Sequence, residues 1–178
     1  NENNVYNGIT YKGTIYIGKD ADGNYSNPKI SYNYARNGGA IYNSTGSEIN
    51  FCQGEIVYNG TRATDGKGGG IYNEGILIFS DTGGKTKKIY RNSAVKGGAV
   101  YEGGSSAQLK MGTSGNNREV EIEWNDTGLS SYNNIYLDTK SGEDPCMITL
   151  TTTMSNMTAL RIDTAISTFT GKQIIEAS

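Results

Sequence analysis

The 178 residues contain no histidine. That removes the commonest general base and metal ligand at neutral pH. Proline occurs twice and cysteine twice, so neither rigid linkers nor a disulfide framework defines the chain. One-sided charge is also missing. Sixteen Lys and Arg oppose eighteen Asp and Glu, for a net charge of −2. Nucleic acid calls for a basic face, and an anionic membrane surface for a polybasic cluster; both partners are disfavoured. No apolar run is long enough to span a bilayer, so no membrane insertion is expected in this segment. No signal peptide is visible. The opening Asn1-Glu2-Asn3-Asn4 reads as the interior of a larger protein. Hydrophobic residues make up only 35%, little for one globular core but sufficient for a stack of thin coils.

Glycine (25 residues) and tyrosine (13 residues) are plentiful. They are also periodic. The phrases Gly38-Gly39-Ala40-Ile41-Tyr42-Asn43, Gly68-Gly69-Gly70-Ile71-Tyr72-Asn73 and Gly97-Gly98-Ala99-Val100-Tyr101-Glu102 recur at steps of 30 and 29 residues. A worn copy follows at Asn133-Asn134-Ile135-Tyr136-Leu137. A fixed period of this size signals stacked supersecondary units. A second element, Ile-x-x-Asn, ends at Asn33, Asn59, Asn92 and Asn125. A third alternates with period two: Ile49-Asn50-Phe51, Leu77-Ile78-Phe79, Leu109-Lys110-Met111 and Ile148-Thr149-Leu150. Its first and third positions face inward by the alternation rule.

Three short strands per thirty residues predict an all-β fold: a right-handed parallel β-helix of roughly five coils, with strands stacked about 4.8 Å apart. Residues 1–178 form one domain, with clear repeats over 29–137 and a closing coil and C-terminal strand over 138–178. Stacking places like residues in columns. Ile41, Ile71, Val100 and Ile135 form one interior column, and Ile30, Ile56, Ile89 and Ile122 another. Asn33, Asn59, Asn92 and Asn125 are expected to form an amide ladder at a corner, where asparagine also tolerates left-handed backbone. The pairs Gly38-Gly39, Gly68-Gly69 and Gly97-Gly98 permit a sharp corner. Cys52 and Cys146 fall three coils apart, about 14 Å, too far for a disulfide; two free thiols are expected.

Repeats that pair Gly-Gly-Ala-Ile with an x-x-Asn element resemble the polymorphic outer-membrane-protein repeats of bacterial surface proteins. The resemblance covers residues 29 to 137. The family usually has Phe where this chain has Ile30, Ile56, Ile89 and Ile122. The resemblance implies a right-handed β-helix displayed on a bacterial cell surface, with adhesion as one role. Residues 134 to 175 look like the closing unit of related repeat proteins.

Several residues invite a functional reading. Tyr42, Tyr72, Tyr101 and Tyr136 follow the inward β-branched residue, so they are expected to point out as an aromatic strip. Such a strip suits a glycan or a protein partner; the plainer reading is a self-stabilising stack. Variable segments at 19–28, 80–87, 112–119 and 152–158 share one corner, and insertions of this kind often form a binding face. Around the second lie Lys85, Lys87 and Lys88, and in the third Arg118, a set suited to an acidic glycan or to plain solvation. Asp20, Asp22 and Asn24 resemble half of a calcium loop but equally a polar turn. Glu121 and Glu123 share a strand, with solvent-facing positions as the ordinary explanation. No catalytic residue, metal or cofactor is assigned. The expectation is a non-enzymatic, extracellular β-helix segment of a bacterial surface protein, monomeric, binding a glycan or a neighbouring surface protein. The alternatives are a polysaccharide lyase- or hydrolase-like enzyme, or a passive stalk.

Overall fold

The computed structural model describes residues 13–79, 86–111, 120–126, 134–139, 146–150, 162–164 and 175–177, the last two stretches by backbone alone. The described residues contain strands and no helix, and the named strands pair in parallel throughout. One face stacks β1 (Thr14–Ile17), β5 (Glu48–Phe51), β9 (Ile76–Phe79), β12 (Gln108–Met111), β15 (Ile148–Leu150) and β17 (Ile175–Ala177). The second stacks β2 (Lys29–Ser31), β6 (Gly54–Val57), β10 (Lys87–Tyr90) and β13 (Val120–Glu123). The third stacks β4 (Ile41–Asn43), β8 (Ile71–Asn73), β11 (Val100–Glu102), β14 (Ile135–Leu137) and β16 (Ile162–Thr164). A short pair, β3 (Tyr34–Ala35) with β7 (Gly60–Thr61), runs beside the second face.

This is the right-handed parallel β-helix that the repeats predict. Among the described residues, coils with all three faces number three: β4 to β6, β8 to β10 and β11 to β13. Partial coils flank them, so the expected five is a slight overcount.

The registers reproduce the predicted columns. Ile41, Ile71, Val100 and Ile135 are successive partners, as are Ile30, Ile56, Ile89 and Ile122. Ile49, Leu77, Leu109 and Ile148 continue the interior, with Phe51, Phe79 and Met111 beside them. Nearly all of these are fully buried. Each complete coil adds about four such side chains, each stabilising by about 1.5–3 kcal/mol as an upper bound. Cys52 and Cys146 are buried thiols outside any disulfide, and flank strands three positions apart in the first sheet.

Between coils, polar side chains replace the sheet at the corners. Asn92 Nδ2 donates to Ile56 O (2.9 Å) and Tyr90 O (3.1 Å), while its Oδ1 accepts from Asn59 N and Nδ2, both at 3.0 Å. The same pattern links Asn33 to Asn59 and Asn92 to Asn125. The ladder goes one rung further than the repeat predicts. Asn125 donates from N and Nδ2 to Asn134 Oδ1, and Asn134 Nδ2 donates to Ile122 O at 2.8 Å. Asn134 belongs to the glycine phrase by sequence, yet its side chain adds a rung to the amide ladder. A second buried ladder runs along the third face, from Asn43 to Asn73 (2.6 Å) and from Asn73 to both Glu102 oxygens (2.8 and 3.0 Å).

The backbone at the asparagine corner differs from expectation. The asparagines themselves are not left-handed. The residue before each one is: Tyr32 (φ 60°), Tyr58 (φ 56°), Arg91 (φ 53°) and Trp124 (φ 52°). The asparagine amide reaches back to the carbonyl two residues earlier, which holds the intervening residue in that conformation.

Candidate functional site

The tyrosine column forms, but it is not the exposed strip expected. Tyr42, Tyr72, Tyr101 and Tyr136 stack face to face with centroids 4.8, 4.9 and 5.5 Å apart. Tyr72, Tyr101 and Tyr136 are buried, at 8%, 1% and 9% exposure. Lys67 and Lys96 from the neighbouring corner lie over the Tyr101 and Tyr136 rings at 4.7 and 4.9 Å, their aliphatic stems covering aromatic surface. The hydroxyls are occupied as well. Tyr42 and Tyr72 donate to the two oxygens of Glu74, at 2.7 and 2.9 Å, and Tyr101 donates to Asp138. Strand alternation gives the direction of these rings correctly. It does not give their coverage, which comes from lysines on another element.

The stack has a measurable consequence. Burial first, and then the Glu74 carboxylate, push the Tyr42 phenol up to about 12. Burial and a bonded carboxylate likewise push Tyr72 and Tyr101 up. A phenol with a higher pKa folded than unfolded keeps its proton longer in the native state. Its stabilisation is whole below the unfolded value of 10 and is lost as pH rises towards 12. Alkaline titration should therefore show a late phenolate fraction appearing together with cooperative loss of circular dichroism. Ionisation of all thirteen phenols by about pH 10 with the dichroism intact would contradict this.

The expected basic corner does not assemble. Lys85 and Arg118 lie outside the described residues. Lys87 is not in a loop; it begins β10 and is 1% exposed. Counting back two from inward Ile89 predicts that position. Lys88 points outward and pairs with Glu121 at 2.8 Å. The register aligns Lys29, Glu55, Lys88 and Glu121 as alternating charges down the second face, with Lys29 to Glu55 at 3.7 Å and Tyr90 donating to Glu55 at 3.2 Å. Glu121 is thus held in an ion pair on the outward side of β13.

The Asp20 to Asn24 segment is a turn closed on itself. The Asp20 carboxylate accepts from Asn24 N (2.8 Å) and Asn24 Nδ2 (3.1 Å), and the Asn24 side chain is the main cause that lowers its pKa. Gly23 takes the left-handed position that such a turn requires. Among the described residues, no three acidic or cysteine side chains are grouped as a metal site.

The exposed aromatic ladder lies elsewhere, at the asparagine corner. Tyr32 is 67% exposed and Trp124 54%. Arg91 is also exposed and Tyr58 half-buried. They form one continuous row. Tyr32 stacks on Tyr58 at 5.3 Å. Arg91 lies over Tyr58 at 5.6 Å and over Trp124 at 5.7 Å, and its Nη1 donates to the Tyr58 hydroxyl at 2.5 Å. Tyr34, 52% exposed, lies one column away with Arg62 over its ring at 4.5 Å. At the Trp124 end, Arg91, Asn92, Ser93, Trp124 and Asp126 line an open groove of about 440 Å³.

The repeat pattern conceals this row because its members, Tyr, Tyr, Arg and Trp, share no obvious type. The signal that marks it is a large residue immediately before each repeated asparagine. No family model matches the chain, and neither the curated proteins nor the solved structures yield a match.

Proposed function

We propose that this chain is a rigid, non-enzymatic segment of a bacterial cell-surface protein, acting in adhesion or display. It holds a glycan or neighbouring protein at the asparagine corner. One observation carries the reading: four consecutive coils place a bulky side chain, Tyr32, Tyr58, Arg91 or Trp124, on left-handed backbone along one solvent-facing row.

That choice is costly for folding. A non-glycine residue in this conformation costs roughly 1–2 kcal/mol, and glycine or asparagine would relieve it. Exposed stacking and cation–π contacts return about 0.5–1 kcal/mol each. The asparagine corner sets the left-handed backbone, but it does not call for bulky side chains on it; keeping Tyr, Arg and Trp on strained, exposed positions is the pattern of a binding surface. Tyrosine, tryptophan and arginine are also the residues that dominate binding energy at interfaces. The interlocked coils behind the row hold it rigid, which lowers the entropic cost of binding. The second-face carboxylates Glu55 and Glu121 are engaged by Lys29, Tyr90 and Lys88, which favours the non-enzymatic reading.

The test is a glycan array and a cell-surface binding assay, comparing the chain with its Tyr32→Asn/Tyr58→Asn/Trp124→Asn variant. Binding by the parent that falls at least tenfold in the variant is expected. Equal binding by both would move the site off this corner. No binding by either would leave a passive stalk.

A further inference from the structure

The groove at the Trp124 end has a chemistry of its own, and a ligand assignment for it rests on the corner reading above. Its wall is the indole of Trp124, the largest flat apolar surface on the corner. One charged donor, Arg91, and one charged acceptor residue, Asp126, line it, with Ser93 and Asn92 between them. These groups are pre-set. Arg91 is fixed by its bond to the Tyr58 hydroxyl and by two flanking rings. The Asp126 backbone is tied by its N–H to Asn92 O at 2.8 Å and by its carbonyl to Ala94 N at 3.0 Å. Asn92 is fixed in the amide ladder.

A ligand for this groove has to offer an apolar face to the indole and, at its rim, both hydrogen-bond acceptors for Arg91 and donors for Asp126. A pyranose ring does this. Its axial C–H groups form the flat face and its hydroxyls donate and accept together. Charge selects further. Arg91 and Asp126 share the one groove, so a uronate drawn to Arg91 also meets Asp126, and an amino sugar drawn to Asp126 also meets Arg91. Neither penalty applies to a neutral hexose. A groove of about 440 Å³ is at the small end of ligand sites, which fits one or two sugar rings. We therefore infer that the Arg91–Trp124–Asp126 groove is a subsite for a neutral hexopyranose unit, seated on the Trp124 indole with its hydroxyls shared between Arg91 and Asp126. An open single subsite of this kind binds weakly, with Kd on the order of 1 mM. Useful strength at a surface then comes from many copies.

The chain reports on this site by itself, because Trp124 is its sole tryptophan. The experiment titrates the full chain with neutral trisaccharides of glucose, mannose and galactose and follows tryptophan emission. Trigalacturonate is the acidic comparator. A saturable spectral shift with at least one neutral trisaccharide, weakened roughly tenfold by Asp126→Ala and by Arg91→Ala and absent with trigalacturonate, is expected. Dichroism confirms that both variants remain folded. A saturable shift with trigalacturonate alone overturns the inference. So does an unchanged spectrum throughout, when the array shows binding that Tyr32→Asn/Tyr58→Asn removes; in that case the corner reading survives without this subsite. An unchanged spectrum with no array binding overturns both.

Discussion

Gly69→Ala is expected to destabilise the fold by about 3–5 kcal/mol, a large fraction of the roughly 5–15 kcal/mol that holds an ordinary domain. The reason is steric and lies between coils. A Cβ built on Gly69 would stand 2.5 Å from Gly98 O and 2.6 Å from both Ser93 N and Ser93 O. All three are backbone atoms held in the next coil, where Gly69 N donates to Gly97 O and Ser93 N donates to Asn59 O. No rotamer change relieves the clash; the coils must separate. Gly23→Ala is the control. Gly23 has φ +87° but only one side-chain atom near its Cβ position, at 3.9 Å, so its substitution should cost about 1–2 kcal/mol through backbone strain alone. Urea unfolding of the two variants measures the difference. Similar small losses would mean that the glycine corner is not the interlock between coils.

Asn92→Leu should be comparably severe, at about 3–6 kcal/mol, because leucine fills the space but removes every polar atom and each stranded buried group costs about 1–3 kcal/mol. Asn59 N loses its acceptor, and Ile56 O and Tyr90 O lose their donor. Asn92 is fully buried, so water cannot replace what is lost. The ladder predicts a gradient. Asn33 is exposed at the end of the row, where water does replace what the amide supplied, so Asn33→Leu should cost no more than about 1 kcal/mol. Chemical unfolding of both variants in the same buffer tests this. Equal losses would show that the amides act independently rather than as a buried network.

These two positions are legible in the sequence because stacking converts a repeat into a column. Gly69 and Asn92 recur at fixed places, and recurrence at one place in every coil means contact with the like residue above and below. The interior columns are legible for the same reason, through the period-two pattern of Leu77-Ile78-Phe79 and its counterparts. What the repeat does not convey is anything set by residues that differ from coil to coil. The row before the asparagines holds two tyrosines, an arginine and a tryptophan, none of which favours left-handed backbone. Their conformation is imposed by the asparagine amide that follows, a tertiary cause acting on a local angle. Coverage is equally hidden. The rule that sends Tyr101 outward says nothing of Lys67 and Asp138, which arrive from other coils to bury it. Lys87 shows the opposite failure, since its inward parity is readable from Ile89 but its charge suggests a loop. Asn134 aligns with the glycine phrase, while its side chain reaches Asn125 across the corner.

Equilibrium unfolding and surface binding, measured on the same preparation of the Tyr32→Asn/Tyr58→Asn/Trp124→Asn variant, test most directly whether the corner side chains serve binding and not folding. Relief of three strained positions and loss of the exposed stacking roughly cancel. The predicted result is therefore stability within about 1 kcal/mol of the parent, or above it, with binding reduced at least tenfold. A variant that loses several kcal/mol, or one that binds as tightly as the parent, would contradict it.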